Sequence, residues 1–334
     1  MRALVVIPSV ADRQPPSACR PRRDYAALCE FLREAGAEVE LLDFAAAGTR
    51  SDLKLALAAH ARRKNVDAIY VNAESLGVPL ALLGGSPKLV CMGHRLLTAR
   101  KKLFFRVLKA HKRMARLLVY ASTQEAFATT ALGIEHEKVR RIPFHADTRF
   151  FHPLPEIVSS SDQLCAVGRE GRDYATLFAA MDGLPDVTLK LTSASPWSKS
   201  VDTSRQRAIP NNVHSAAVPY SDEGLRELYA ASAAALVPLF PTDFQAGITT
   251  ILEAFAMGRP VIATRTSGLS DVLWHEENCL SVAPGDVTGW REAILRLRSD
   301  PELAARLGAR GRRWVEENAT LERWVQNVAS ELLS

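Results

Sequence analysis

Short apolar runs with strand character alternate with segments of helical spacing along almost the whole chain. Residues 2–9 read as a strand, 24–36 as a helix on Tyr25, Leu28, Phe31 and Leu32, and 39–44 as a second strand. Ser51 caps a helix through Lys64, and strand 67–72, the short apolar helix 78–83 and strand 88–92 follow. The pattern continues with strand 117–121 and a helix over 124–132 capped by Ser122. It returns in the second half with strands near 164–167, 186–191, 213–219 and 234–239 and helices over 222–230, 289–299, 301–318 and 321–333. Such alternation dictates parallel sheets covered by helices on both faces, with ligands at the carboxyl ends of the strands. At 334 residues the chain suits two such domains.

Composition narrows the class. Hydrophobic residues make up 47% and charged residues 24%, as expected of a soluble globular protein. No apolar run approaches the roughly 20 residues of a membrane span. The first apolar run ends at Pro8, too early for a signal segment. The five cysteines are scattered with no Cys-x-x-Cys pair, so neither a zinc site nor a disulfide frame is expected, and a cytoplasmic setting fits.

The most informative stretch is 245–263, which reads as loop, helix, tight turn and buried strand. Gly247, Thr249 and Thr250 lie at the helix start, Ile251, Leu252, Phe255 and Ala256 form its apolar face, and Gly258 and Pro260 stop it. A helix start offers unpaired N–H groups and partial positive charge, so it suits a phosphate. Glu253 sits about one turn further in, where a carboxylate can take two sugar hydroxyls or simply complement the helix dipole.

This stretch resembles the donor-binding signature of the large retaining family four of GT-B glycosyltransferases, E-x(7)-E followed by A-x-A-x-G-x-P-V. Glu253 matches the second glutamate, and Ala254, Ala256, Gly258, Pro260 and Val261 match the remainder. Gln245 stands where the first glutamate belongs, and Ile248 where the family has a glycine, with Gly247 one place earlier. Further matches follow the family order. Lys138, Ile142, Pro143, Asp147, Phe151 and Pro153 are similar to its inter-domain segment. Gly168 and Arg169 match its G-R, and Arg172, after a two-residue deletion, takes the place of its lysine. Leu225, Leu228, Tyr229 and Ala230 match L-x-x-L-Y-A.

The resemblance implies an α/β fold of the GT-B type, two doubly wound Rossmann-like domains facing across a cleft. The first, acceptor-side domain would span 1–152 and be completed by the helix 320–334. The second, nucleotide-sugar-binding domain would span 153–319. The implied activity is retaining transfer of a sugar from a UDP- or GDP-linked donor to an acceptor. Glu253 would hold the ribose, while Arg169, Arg172 and the amides near Thr249 and Thr250 would hold the diphosphate. Gln245 and His94 would touch the sugar, Gly247 and Ile248 would line the donor site, and Val218 and Tyr220 would meet the base. Neither a metal nor a further cofactor is implied, and the chain contains no Asp-x-Asp motif. An epimerase or hydrolase on the same plan, and a non-catalytic binder that lost turnover with Gln245, remain as alternatives.

Charge is uneven. Residues 1–150 hold 25 Lys+Arg against 14 Asp+Glu, a net of +11, and the remainder holds 17 against 23, a net of −6. The basic half should attract an anionic partner. Arg13, Arg20, Arg22 and Arg23 in the first loop are candidates for an anionic acceptor or for solvated surface charge. Residues 95–116 carry nine bases and no acid, with Leu103, Phe104, Val107 and Leu108 at helical spacing. A basic amphipathic helix of this kind can lie on the inner face of an anionic membrane and serve a lipid-linked acceptor, or can be an ordinary surface helix. Without a nucleic-acid motif beside the charge, nucleic acid is not expected.

Overall fold

The computed structural model describes residues 1–12, 17, 19–85, 87–94, 96, 105–193, 208–216 and 220–334. The chain forms two compact units, one of residues 1–15, 22–143 and 321–334 and one of residues 16–21 and 144–320. The units thus part at 143/144 and 320/321, whereas the sequence reading placed the first boundary at 152/153.

The first unit holds β1 (Arg2–Val6), α1 (Asp24–Glu34), β2 (Glu38–Leu42), α2 (Asp52–Arg62), β3 (Ala68–Val71), α3 (Glu74–Leu83) and β4 (Lys88–Gly93). β5 (Arg116–Val119), α4 (Ser122–Ala126), β6 (Val139–Arg141) and the last helix, which comes from the far end of the chain, complete it. Its six strands run in the order β2-β1-β3-β4-β5-β6, all parallel. Leu4, Val6, Ile69, Val71, Leu89 and Cys91 face α2 and α3 in one apolar cluster. Tyr70 meets Trp324 of the last helix edge to face at 6.4 Å.

The second unit holds β7 (Ser160–Val167), α5 (Tyr174–Met181), β8 (Thr188–Thr192), β9 (Val213–Ser215), α6 (Asp222–Ala231) and β10 (Ser232–Val237). It continues through α7 (Ile248–Ala256), β11 (Val261–Thr264), β12 (Leu280–Val282), α8 (Val287–Ser299) and α9 (Pro301–Asn318). α10 (Leu321–Leu333) then returns to the first unit. The order β12-β11-β10-β7-β8-β9, again all parallel, is the doubly wound dinucleotide-binding order, read from the other edge. Period-two alternation sends Leu164 and Ala166 of β7 into one core layer and Cys165 into the other. Glycines let α9 cross closely over the end of α7: a Cβ on Gly308 would stand 2.2 Å from the Gly258 carbonyl oxygen, and one on Gly311 would stand 2.4 Å from the Phe255 ring.

Local signals mostly hold. Ser51, Ser221 and Asp286 each accept an amide hydrogen bond at a helix start, from Lys54, Gly224 and Gly289 respectively. Two expectations need correction. Ser122 is inside α4 and is not its cap; Gln124 accepts from the amides of Tyr120 and Ala121 instead, at 3.0 and 3.1 Å. The basic segment is not one helix in its described part. Only Phe105 and Arg106 are helical there, Lys109 has φ of 50°, residues Ala110–Arg113 make a 3-10 turn, and Arg116 already belongs to β5. Buried Ala110, Met114 and Leu117 keep a helical i, i+4, i+7 spacing, yet Leu117 pairs in β5 with Cys91 and Val139, so the sheet overrides the periodicity. Residues 95 and 97–104 lie outside the described residues. In the first loop Arg22 pairs with Glu30 and Arg23 with Asp12, while Arg13 lies outside the described residues.

Candidate functional site

Strand order locates the site before any side chain is considered. In the second sheet the winding reverses between β7 and β10, and the loops leaving these two strands carry the predicted residues. They are laced together: the Asp173 amide donates to the Pro238 carbonyl at 3.1 Å and the Phe240 amide to the Gly171 carbonyl at 3.0 Å.

Within the second unit, α5, α6, α8 and α9 each start on a side-chain cap from Asp173, Ser221, Asp286 and Asp300. α7 starts on Gly247, at φ of 79°, with no side-chain cap. Its opening amides therefore face the reversal point without a carboxylate or hydroxyl of their own cap over them. The displaced family glycine has its explanation here, because the left-handed N-cap is position 247 and the helix starts at Ile248.

α7 is buried on nearly every side: Ile248, Thr250, Ile251, Leu252, Ala254, Phe255 and Ala256 are all inaccessible. Thr249 is exposed and Glu253 half-buried. They are four residues apart, so they share one face, and this narrow stripe is what the helix offers to a ligand. Glu253 does not swing from it freely, since the Tyr229 hydroxyl of α6 donates to its Oε2 at 2.9 Å.

The two arginines diverge. Arg172 reaches the tip of α7, where its Nη2 donates to Thr250 Oγ1 at 3.1 Å. It is only 3% exposed, and its remaining contacts include the Val167 carbonyl, which accepts from Nε and Nη2 at 3.1 and 2.8 Å, and the Glu170 carbonyl, 3.0 Å from Nη1. Burial pushes its pKa below the usual guanidinium value. Two glycines make room for it: a Cβ on Gly168 would stand 2.7 Å from Nη2 and one on Gly247 would stand 3.0 Å from Nη1. The expectation of Arg172 as a surface ligand for diphosphate is thereby corrected. Its forked donors fit the turn carbonyls, so it braces the β7 loop against α7 from beneath. Arg169 is half-buried and turns its Nε to the Ser193 carbonyl at 3.0 Å, at the end of β8, the neighbour of β7 opposite β10.

The other predicted residues fall as follows. Gln245 is buried just before the N-cap, and its carbonyl accepts from the Ile248 amide at 3.3 Å. Tyr220 is exposed beside the start of α6, and Val218 lies outside the described residues. His94 ends β4 in the first unit. Its amide donates to Glu74 and its carbonyl accepts from Gln124, both of which are buried. Its ring Nε2 is 2.9 Å from the Asn72 carbonyl. A carbonyl only accepts, so Nε2 carries a proton and donates to it.

Sequence reasoning missed Tyr229 as the partner of Glu253. Its signal was a tyrosine in an apolar helix register beside Leu225 and Leu228, where a buried hydroxyl requires a partner.

Comparison with known proteins agrees with this construction. Over 99% of this chain and 98% of the other, it superposes on sucrose-phosphate synthase from Thermosynechococcus elongatus with a TM-score of 0.76 at 19% identity. With Anabaena HepE in complex with UDP-glucose the TM-score is 0.75 at 16% identity, over 99% of both chains. These matches give the chain the GT-B fold. Residues 164–300, within the second unit, match the model of the family described as Glycosyl transferases group 1, in agreement with the resemblance read from the sequence. MMP alpha-(1->4)-mannosyltransferase of Mycolicibacterium hassiacum is 28% identical over 60% of this chain and 51% of its own length. D-inositol 3-phosphate glycosyltransferase of Pseudarthrobacter chlorophenolicus is 25% identical over 58% of this chain and 50% of its own. The chain thus aligns with about half the length of these curated relatives. Among the described residues no helix is long and apolar enough to cross a membrane.

Proposed function

We propose that the chain is a retaining glycosyltransferase that takes a sugar from a nucleoside-diphosphate donor. The observation that carries this reading is the Thr249–Glu253 stripe on an otherwise buried helix, opening at an uncapped glycine where the strand order reverses. Its two ends suit the two ends of a nucleoside diphosphate. The carboxylate of Glu253 accepts from the ribose hydroxyls. The amides of Thr249 and Thr250, the helix dipole and Arg169 hold the diphosphate. Arg172 contributes through the loop it braces. UDP-glucose bound to the similarly folded HepE supports a nucleotide-sugar donor.

In the reaction the bond from the anomeric carbon to the diphosphate oxygen breaks, and the acceptor oxygen bonds to that carbon on the same face. The acceptor's proton passes to the departing phosphate oxygen. The leaving diphosphate gains negative charge, so preorganised amides and cations act most strongly in the transition state. Protein cations and the helix dipole take the place of a metal. Gln245 and the Nδ1 of His94 are assigned to sugar hydroxyls, and Tyr220 and Val218 to the base. The acceptor is anionic or lipid-linked, in keeping with the basic first half, and the setting is the cytoplasm or the inner membrane face.

The test is incubation of purified protein with labelled UDP- and GDP-sugars and candidate acceptors. A product with retained anomeric configuration supports the proposal, and an inverted product refutes it. Because Gln245 is uncharged, a binder without turnover is the second reading, and tight nucleotide binding with no transfer to any acceptor class would favour it.

A further inference from the structure

Beneath the exposed stripe of α7 runs a line of buried polar groups that the proposed reaction does not use directly. Arg172 donates to Thr250 Oγ1 at 3.1 Å, the Thr250 hydroxyl donates to the Val167 carbonyl at 3.3 Å, and the Tyr229 phenol donates to Glu253 Oε2 at 2.9 Å. Thr250 is 4% exposed and Tyr229 fully buried. A carboxylate oxygen only accepts, so the phenol proton points at Glu253. Burial and the adjacent carboxylate hold the Tyr229 pKa well above the usual phenol value, so it remains a donor at every physiological pH.

A half-buried glutamate on a helix face has three side-chain torsions to fix before its carboxylate can meet a vicinal diol with both oxygens. Water would compete for it, and ordering it costs entropy. A rigid phenol removes that freedom. The Tyr229 ring packs edge-on against Phe151 at 6.3 Å, so its hydroxyl position is set by the core rather than by solvent. We propose that Tyr229, its ring set against Phe151, is a positioning residue that presents the Glu253 carboxylate to the ribose hydroxyls of the donor nucleotide. The inference rests on the nucleotide-sugar reading above and adds a named residue to it. Tyr229 touches no ligand; it acts through Glu253.

The experiment is calorimetric titration of wild-type protein, Tyr229→Phe and Phe151→Leu with UDP and GDP, each beside its 2′,3′-dideoxy analogue. The expected result is that Tyr229→Phe weakens the preferred ribonucleotide about tenfold, the low end for a hydrogen bond to a charged group. The dideoxy analogue, with no hydroxyls for Glu253 to hold, should bind wild type and variant equally. Phe151→Leu, which removes the ring edge that fixes Tyr229, should show the same selective loss in smaller measure, and Phe151→Tyr should stay within about twofold of wild type. This also supplies the answer should Tyr229→Phe fail to fold. An equal loss for ribonucleotide and dideoxy analogue would mean the phenol only supports the fold, and no loss for either would mean Glu253 needs no guide. Either result overturns the inference while leaving the transferase reading standing. Wild-type protein that binds neither UDP nor GDP overturns both.

Discussion

Replacing Gly247 by alanine should damage both the second unit and its ligand site, by an amount that geometry separates into two parts. Gly247 has φ of 79°, and an L side chain in that region costs about 1–2 kcal/mol. The added Cβ would also stand 2.7 Å from Val237 Cγ1 and 3.0 Å from Arg172 Nη1. Neither neighbour yields easily: Val237 is fully buried in β10, and Arg172 is held by the Val167 and Glu170 carbonyls. Overpacking of this kind costs about a further 1–3 kcal/mol. Gly285 is an internal control, since it has φ of 72° with nothing within 4 Å of an added Cβ. Gly285→Ala should therefore cost about 1–2 kcal/mol and Gly247→Ala about 2–5 kcal/mol. For a unit of this size each kcal/mol lowers Tm by about 2–4 °C. Thermal unfolding followed through Trp290, buried in the second unit's core, reads the difference. If the two variants melt together, the steric account of the helix tip is wrong. If Gly247→Ala melts lower but binds UDP and GDP as wild type does, the tip is structural and the amides of α7 are not the phosphate site.

Other perturbations probe the remaining parts. Glu253→Gln should weaken the preferred nucleotide by about 10- to 150-fold, the range for hydrogen bonds to a charged group, and unaltered affinity in calorimetry would remove the ribose role. Arg169→Ala should lower kcat more than it raises KM if the cation meets the leaving diphosphate; a pure KM effect would make it an anchor. Cys29, Cys165 and Cys279 are buried with thiol pKa values pushed up to about 11, 12 and 11, and Cys91 is buried too, so a thiol reagent should label only Cys19 in native protein and all five cysteines after unfolding. The Glu223 carboxylate, 3.2 Å from Cys19 Sγ, raises that thiol's pKa, so Glu223→Gln should speed its labelling near neutral pH; an unchanged rate would refute the contact. Asp286→Ala removes the cap of α8 and should cost about 1 kcal/mol in denaturant unfolding.

What was legible from residues alone was what depends on local order. Period and punctuation placed α1, α6, α8, α9 and α10 to within a residue or two, because apolar spacing and caps such as Ser221 and Asp286 act within a single turn. The stretch around α7 was equally readable, down to the stop at Gly258, where φ is 69°. Side-chain partnership across elements was not. Arg172 is five residues from Val167 and 78 from Thr250, and charge alone suggested a ligand-facing cation where folding made a buried brace. The partner of the His94 ring was hidden for the same reason, since the carbonyl 2.9 Å from Nε2 belongs to Asn72 on the neighbouring strand's exit. The described part of the basic segment shows the converse limit: residues 110–113 form a turn and residues 116–119 a strand, because Leu117 pairs with Cys91 in the sheet.

The return of α10 to the first unit has a consequence for how the protein is made. Trp324, Val325, Val328, Ala329 and Leu332 cover one side of a sheet whose other elements end by residue 143. During translation that side waits while residues 144–320 are synthesised, roughly 10–35 s at about 5–20 residues per second. The later-starting unit can finish folding on the ribosome first, and the earlier one goes without this cover until α10 has been made.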